Sequence, residues 1–333
     1  MTLFRNEPEF VRWLERRTAA RAPGLRLGIG DDAALIEPRP DAQLALTTDL
    51  SVEGIHFSRR LHPPGSIGHR ALARSLSDIA AMGAVPRFAL LSCALSRRAD
   101  RQWVESFFGG FLRLARRFKV AVLGGDTARG GARTMIDVAV LGEIPKGNAM
   151  RRSGARAGDQ IYVAGPLGFS ALGLRLLRSG ETRDRGITQR AIRAHLYPEP
   201  QCALGCFLAE ERLASAAIDV SDGLSSDLAR LCESSGVGAV LFAEKIPGPA
   251  PFGPWTARHM LSLALNGGED YVLLFTARPS AKLPSSYRGI TLSRIGEVTA
   301  ARARVLVEPG GKQKPLAPHG YDHFSRHATQ HRR

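Results

Sequence analysis

Cysteine is scarce. The 333 residues contain only Cys93, Cys202, Cys206 and Cys232. Cys202 and Cys206 have neither the two-residue gap of a redox pair nor the histidine partners of a zinc site, so a disulfide scaffold and a zinc module are both disfavoured. Four buried, reduced thiols in a cytoplasmic protein are expected. Long apolar runs are missing too. A membrane span needs about 18–20 uninterrupted apolar residues, whereas the greasiest stretch, Phe88 to Leu95, is short and broken by Ser92. The opening residues, Met1-Thr2-Leu3-Phe4-Arg5-Asn6-Glu7, show no basic segment leading into an apolar one, which argues against a secretory signal. Familiar phosphate loops are also absent. There is no Gly-x4-Gly-Lys-Ser/Thr, Gly28-Ile29-Gly30 lacks the third glycine of a dinucleotide fingerprint, and the protein-kinase signatures do not occur.

What is present suits two packed cores. At roughly 100–200 residues per domain, the length favours two domains, and 44% hydrophobic residues can fill both. The 35 Gly and 20 Pro follow no repeating triplet, which excludes a collagen-like chain. Basic residues number 46 against 31 acidic ones, so the formal net charge is 46 − 31 = +15, yet only six of the 46 are lysine. They are scattered in small groups, such as Arg12/Arg16/Arg17 and Arg113/Arg116/Arg117. That dispersion reads as solvated surface; it predicts no specific nucleic-acid partner and is compatible with attraction for anionic metabolites.

Trp103, Phe107, Phe111, Leu114 and Phe118 recur at three- and four-residue steps behind Asp100, a candidate N-cap, and predict an amphipathic helix. Leu44 to Thr48, Val120 to Leu123 and Thr134 to Leu141 read as strands, and Ser66 to Met82 as a helix carrying Leu72, Leu76 and Ile79 inward. Pro145, Lys146, Gly147 and Asn148 form a connection. Beyond it, Gln160 to Ala164, Ile218 to Val220 and Tyr271 to Thr276 read as strands, and Gly168 to Leu177 and Leu224 to Cys232 as helices. The fold class is therefore α/β of the α+β type, with two mixed domains, 1–147 and 148–333.

The chemistry lies in aspartates set in Gly- and Ser/Thr-rich turns. These are Gly28-Ile29-Gly30-Asp31-Asp32, Thr47-Thr48-Asp49, Ser77-Asp78, Gly124-Gly125-Asp126-Thr127, Asp219-Val220-Ser221-Asp222-Gly223 and Gly267-Gly268-Glu269-Asp270. Three follow predicted strands directly, where ligands bind in α/β sheets. Carboxylates without Cys or His partners point to a hard cation, and Mg²⁺ suits a site that shares coordination with water and phosphate. The glycines let backbone N–H groups approach phosphate oxygens. Each turn alone has a plainer explanation: Asp78, for example, lies four residues after Arg74 and is placed to pair with it on a helix face. Their number in one chain favours function. His56 follows Val52-Glu53-Gly54-Ile55 just beyond the Asp49 turn, and Arg152 is either surface charge or a phosphate clamp.

In these motifs the chain resembles the thiamine-monophosphate kinases, within the ATP-binding superfamily of aminoimidazole ribonucleotide synthetase and selenophosphate synthetase. The likeness runs from about residue 7 to Phe324 in matching order. It includes Glu53-Gly54-Ile55-His56-Phe57, Leu76-Ser77-Asp78-Ile79-Ala80-Ala81-Met82-Gly83-Ala84, Arg152-Ser153-Gly154-Ala155, Gly267-Gly268-Glu269-Asp270-Tyr271 and Gly320-Tyr321-Asp322-His323-Phe324. The resemblance implies ATP-dependent phosphorylation of thiamine monophosphate to thiamine diphosphate, with several Mg²⁺ ions. It also implies a homodimer whose N-terminal strands share a barrel, an N-terminal ATP/Mg-binding and dimerisation domain, and a C-terminal aminoimidazole ribonucleotide synthetase-like domain. By position, Asp32, Thr47, Thr48, Asp49, Asp78, Asp126, Asp219 and Asp222 would hold metal. Gly125, Asp126, Arg152 and Ser221 would meet ATP, and His56, Glu269 and Tyr321 the thiamine substrate. No general base is expected, because the acceptor is itself an ionised phosphate. Three positions depart from the family pattern: Arg74-Ser75 stands where Val-Asn is common, Ala128 replaces a second Thr, and Val272 replaces an acidic residue. Two alternatives remain open: another synthetase of the superfamily, and a non-catalytic nucleotide- or nucleic-acid-binding protein. Selenophosphate synthetase is disfavoured, since no cysteine lies in a Gly-rich N-terminal segment.

Overall fold

In chain order the first elements are α1 (Glu7–Thr18), β1 (Leu25–Leu27), β2 (Leu35–Ile36), β3 (Ala42–Val52), α2 (Pro64–Ala81), β4 (Val85–Leu95), α3 (Arg101–Arg117), β5 (Ala121–Gly124), β6 (Thr127–Arg129) and β7 (Met135–Pro145). The structure is a computed structural model that describes residue 4 and residues 6–18, 22–180 and 185–321. Two units divide the chain: residues 1–80 with 84–149, and residues 81–83 with 150–333. Among the described residues, no helix is long and apolar enough to cross a membrane.

In the first unit, α3 begins where its sequence predicts. The Asp100 carboxylate accepts from the Trp103 N–H at 2.8 Å and satisfies a donor that the first turn would otherwise leave open. Trp103, Val104, Phe107, Phe108, Phe111 and Leu114 are buried along one face. The sheet runs β3-β7-β4-β5, with β6 also beside β4. β7 lies antiparallel to both β3 and β4, whereas β5 and β6 run parallel to β4. On the β3 edge strand, side chains alternate. Thr47, Asp49 and Ser51 face inward, and on the opposite face Leu44, Leu46 and Leu50 remain 47%, 70% and 51% exposed.

Helices α2 and α3 touch through their backbones. A Cβ at Gly110 would lie 1.8 Å from the Gly65 carbonyl oxygen, and one at Gly68 would lie 2.0 Å from that of Phe107. In an open helix, Gly110→Ala would gain about 1 kcal/mol of propensity. Here the methyl group would have to displace backbone rather than a flexible side chain, so overpacking wins. The expected result is a net loss of about 2 kcal/mol, read as a lower melting temperature in calorimetry; an unchanged or higher value would show that the helices separate freely.

The second unit contains β8 (Gln160–Ala164), α4 (Phe169–Ser179), α5 (Arg185–Leu196), α6 (Cys202–Glu210), β9 (Ala216–Asp219), α7 (Leu224–Ser235), β10 (Gly238–Phe242), α8 (Ala257–Asn266), β11 (Leu273–Ala277), β12 (Ser286–Tyr287), β13 (Ile290–Thr299), β14 (Arg304–Val307) and β15 (Gln313–Pro315). Its sheet runs β15-β14-β10-β13-β8-β11-β9, with β12 beside β13. Ile161, Val163, Ile218, Leu241, Leu274 and Ile295 from the sheet pack with Leu224, Leu228 and Leu231 of α7. A smaller cluster joins Phe169 and Leu172 of α4 to Ala191 of α5 and to Met260 and Leu263 of α8. Both units are mixed α/β, as expected.

Three sequence expectations need correction. Thr47-Thr48-Asp49 and Ser77-Asp78, expected in turns, lie inside β3 and α2, because the strand pairing and the helix both continue past them. The strand expected from Tyr271 begins only at Leu273, because Glu269 and Tyr271 take left-handed backbone angles, with φ of 68° and 53°. All four cysteines are free, but Cys206 is only half-buried on α6, while Cys93, Cys202 and Cys232 are buried. Burial raises all four thiol pKa values: Cys93 is pushed up to about 12, Cys206 and Cys232 to about 11, and Cys202 higher still. The thiols therefore stay protonated.

Candidate functional site

Each unit gathers part of the predicted set. In the first, a polar ladder runs between the inward face of β3 and α2. Residues two apart on a strand share a face, and residues four apart on a helix lie one turn apart. Thr47 and Asp49 therefore meet Asp78 and Arg74. The Thr47 hydroxyl donates to Asp78 Oδ2 at 2.5 Å, and Arg74 Nη2 lies 3.3 Å from Asp49 Oδ1. Ser51, Arg70 and His56 continue this ladder and line a small cavity together with Arg74. His56 is fixed by its own turn, with Nδ1 accepting from the Val52 N–H at 3.0 Å.

Thr48 faces the other side of the sheet, as strand alternation requires, and donates to the Asp137 carboxylate at 2.8 Å. Asp32 lies in an exposed turn after β1, where the Asp31 side chain accepts from its N–H at 2.9 Å. Asp126 follows β5 on an exposed turn and accepts from the Thr127 N–H at 2.8 Å. That turn depends on Gly125: its φ is 151°, and a Cβ there would lie 1.8 Å from the Leu91 carbonyl oxygen.

In the second unit, the loop entering α7 is the organising feature. The buried Asp227 carboxylate accepts from the N–H groups of Ser221, Asp222 and Gly223 at 3.0, 3.0 and 3.1 Å. Arg230 Nη1 bridges Asp222 Oδ2 at 2.5 Å and Asp227 Oδ1 at 2.7 Å. Burial, and then the neighbouring Asp222 charge, push the Asp227 carboxyl up to about 6, against the lowering pull of the loop N–H groups and Arg230. Burial works against the Arg230 charge, but its bonds to Asp222 and Asp227 outweigh that and hold its pKa above the usual value.

Two further predicted residues are tied to the same loop. The Glu269 N–H donates to the Ser221 carbonyl at 2.7 Å, and the Tyr321 N–H to that of Asp222 at 3.1 Å. Asp219 is buried at the end of β9, immediately upstream. Ser221, Asp222, Glu269 and Tyr321 thus converge. The backbone of Arg152 is anchored elsewhere. Its carbonyl accepts from the Ser235 hydroxyl at the opposite end of α7, a helix length of about 16 Å at 1.5 Å per residue away. Asp270, beside Glu269, has a structural role: it accepts from the Gly168 and Ser170 N–H groups at the start of α4, at 2.5 and 3.0 Å. Residues 322–324 of the closing motif lie outside the described residues.

Sequence reasoning missed Asp227, Arg230 and the Arg74 contact with Asp49. An acidic residue in the first turn of α7 was the available signal for Asp227. Arg230 had a local signal as well, three residues after Asp227 on the same helix, whereas the contact of Arg74 with Asp49 is set by tertiary placement.

The donors presented are carboxylate and hydroxyl oxygens, a set that suits Mg²⁺. Among the described residues, no group of three or more His, Cys, Asp or Glu forms a ready-made cage.

Residues 30–144 match the family described as AIR synthase related protein, N-terminal domain, and residues 156–308 match the corresponding C-terminal domain. The thiamine-monophosphate kinase of Escherichia coli (strain K12) is 36% identical over 325 residues, covering 95% of this chain and 97% of that protein. The crystal structure of the thiamine-monophosphate kinase from Stenotrophomonas maltophilia K279a is 35% identical, with a TM-score of 0.79 over 89% of this chain and 94% of that one. A structure described as AaThiL complexed with AMPPCP and TMP is 30% identical, with a TM-score of 0.76 over 96% of this chain and 97% of that one. With its motifs in order, both of its domains matched and its relatives aligned nearly end to end, this chain belongs to the thiamine-monophosphate kinase family.

Proposed function

We propose that this chain transfers the γ-phosphoryl group of ATP to thiamine monophosphate, forming thiamine diphosphate as the last step of that cofactor's biosynthesis. The observation that carries this reading is the near end-to-end match to kinases named for that substrate, one of them solved with AMPPCP and TMP. Asp32, Thr47, Thr48, Asp49, Asp78, Asp126, Asp219 and Asp222 are assigned to several Mg²⁺ ions, Thr48 with the least support because its side chain faces away. Gly125, Asp126, Arg152 and Ser221 are assigned to ATP, and His56, Glu269 and Tyr321 to the thiamine substrate. Residues 1–147 would then bind ATP and Mg²⁺ and dimerise, and residues 148–333 would form the aminoimidazole ribonucleotide synthetase-like domain.

The chemical difficulty is repulsion rather than nucleophilicity. A phosphate monoester has a second pKa of about 6 and is largely ionised at neutral pH, so the acceptor oxygen can attack without a protein base. Both reactants are anions, and positioning with charge neutralisation must supply most of the rate. When bound, Mg²⁺ supplies that neutralisation. The chain's own contribution is to aim oxygen ligands from β3 and α2 and, in the second unit, to hold the Ser221–Asp222 loop rigid through Asp227. Transfer is direct and in line, with no phosphorylated protein intermediate.

The apolar row Leu44, Leu46 and Leu50 on an edge strand supports pairing of N-terminal strands in a homodimer, since such rows are usually covered. Four free thiols, three of them buried, support a cytoplasmic location. The decisive assay supplies the purified protein with ATP, Mg²⁺ and thiamine monophosphate, with free thiamine as the control acceptor. Thiamine diphosphate formed from the monophosphate alone is the expected outcome; no turnover, or equal use of free thiamine, refutes the assignment.

A further inference from the structure

We infer that Arg74 is a resident counter-cation at Asp49, a positioning residue that holds this carboxylate and weakens divalent-cation binding there. The inference rests on the kinase reading for the role of Asp49 as a metal ligand. It goes beyond that reading because that reading gives Arg74 no role.

The contact is built into the unit. Arg74 Nη2 lies 3.3 Å from Asp49 Oδ1, with side chains only 15% and 21% exposed. Screening by solvent is therefore weaker than at an open surface pair. The two groups project from facing elements, Asp49 from β3 and Arg74 from α2, in the rung next to Thr47 and Asp78. Arg70, one turn earlier, adds a second guanidinium to the same helix edge, and His56 lines the cavity beside both. A guanidinium stays charged at every pH the protein experiences. A divalent cation approaching Asp49 therefore meets a fixed positive charge a few ångströms away and competes for the oxygen that Arg74 already engages. A valine side chain would do neither.

The test is direct titration with Mn²⁺ alone, without nucleotide, following free Mn²⁺ by electron paramagnetic resonance. Wild type, Arg74→Val, Arg74→Met, Asp49→Asn and Asp49→Asn combined with each Arg74 substitution are compared, and thermal melting verifies that each is folded. Arg74→Met preserves the packing of the aliphatic stem if the valine variant is unstable. Removing a unit charge at this separation is expected to tighten the strongest Mn²⁺ site about tenfold in both Arg74 variants. Asp49→Asn in the Arg74→Val background is expected to abolish that gain. Unchanged or weaker Mn²⁺ binding by both folded Arg74 variants overturns the inference, as does a gain that survives loss of Asp49. Failure of the kinase reading is distinguishable: it appears as no turnover of thiamine monophosphate by the wild type, whatever the Mn²⁺ titrations give.

Discussion

Asp222→Asn and Asp49→Asn are each expected to lower kcat for thiamine monophosphate phosphorylation by about 100- to 1,000-fold, the scale seen when one preorganised electrostatic group is removed from a transition-state site. The expectation is specific to turnover because each substitution spares the local structure. In Asp222→Asn, Arg230 keeps its 2.7 Å contact with Asp227, and the loop N–H groups keep their acceptor. In Asp49→Asn, an amide oxygen can still accept from Arg74, and the loss of stability should be no more than about 1 kcal/mol for a partly exposed pair. Steady-state rates across a Mg²⁺ titration, beside melting curves, provide the check. Near wild-type kcat at saturating Mg²⁺ would remove both residues from the metal site.

Asp227→Ala should act through structure. The substitution removes the shared acceptor of three consecutive N–H groups and one of the two carboxylates that Arg230 bridges. Desolvated donors left without partners cost about 1–3 kcal/mol each, and water can rescue those that are only half-buried, so a net loss of about 3 kcal/mol is expected. For a unit of this size that corresponds to a fall of about 10 °C in melting temperature. Activity should decline below that transition as well, because Ser221 and Asp222 lose their fixed directions and the backbone anchors of Glu269 and Tyr321 loosen with them. Asp227→Asn retains an acceptor and should fall between the two. A melting temperature unchanged in Asp227→Ala would mean that the loop is held by other contacts.

How far these features could be read in advance depended on range. α3 was legible because its apolar period and its Asp100 cap are both local properties. β4 was not recognised as a strand: Phe88 to Leu95 carries apolar side chains on both faces, and the run lacks the alternation that marks a half-buried strand. The aspartate motifs were legible as a set, since glycine and carboxylate in sequence carry their own chemistry, but not all as turns: Asp49 lies within β3 and Asp78 within α2. Their tertiary partners were not legible. Whether Asp49 meets Arg74 depends on which helix edge faces which strand, and no short window of sequence contains that information. Thr48 shows the same limit in reverse, because three consecutive candidates on an extended strand cannot all point one way.

The peptide-to-peptide contact of α2 with α3 has a mechanical consequence for the polar side chains on α2. With Gly65, Gly68 and Gly110 allowing main chain to rest on main chain, no compliant layer of side chains separates the two rods. Sliding α2 along its axis would drive carbonyl groups into one another, so Arg74 and Asp78 keep a fixed height above the sheet. If Asp49 and Asp78 share a cation as proposed, fitting ions of different radius would fall to the edge strand β3, and its flexing would set any discrimination by size.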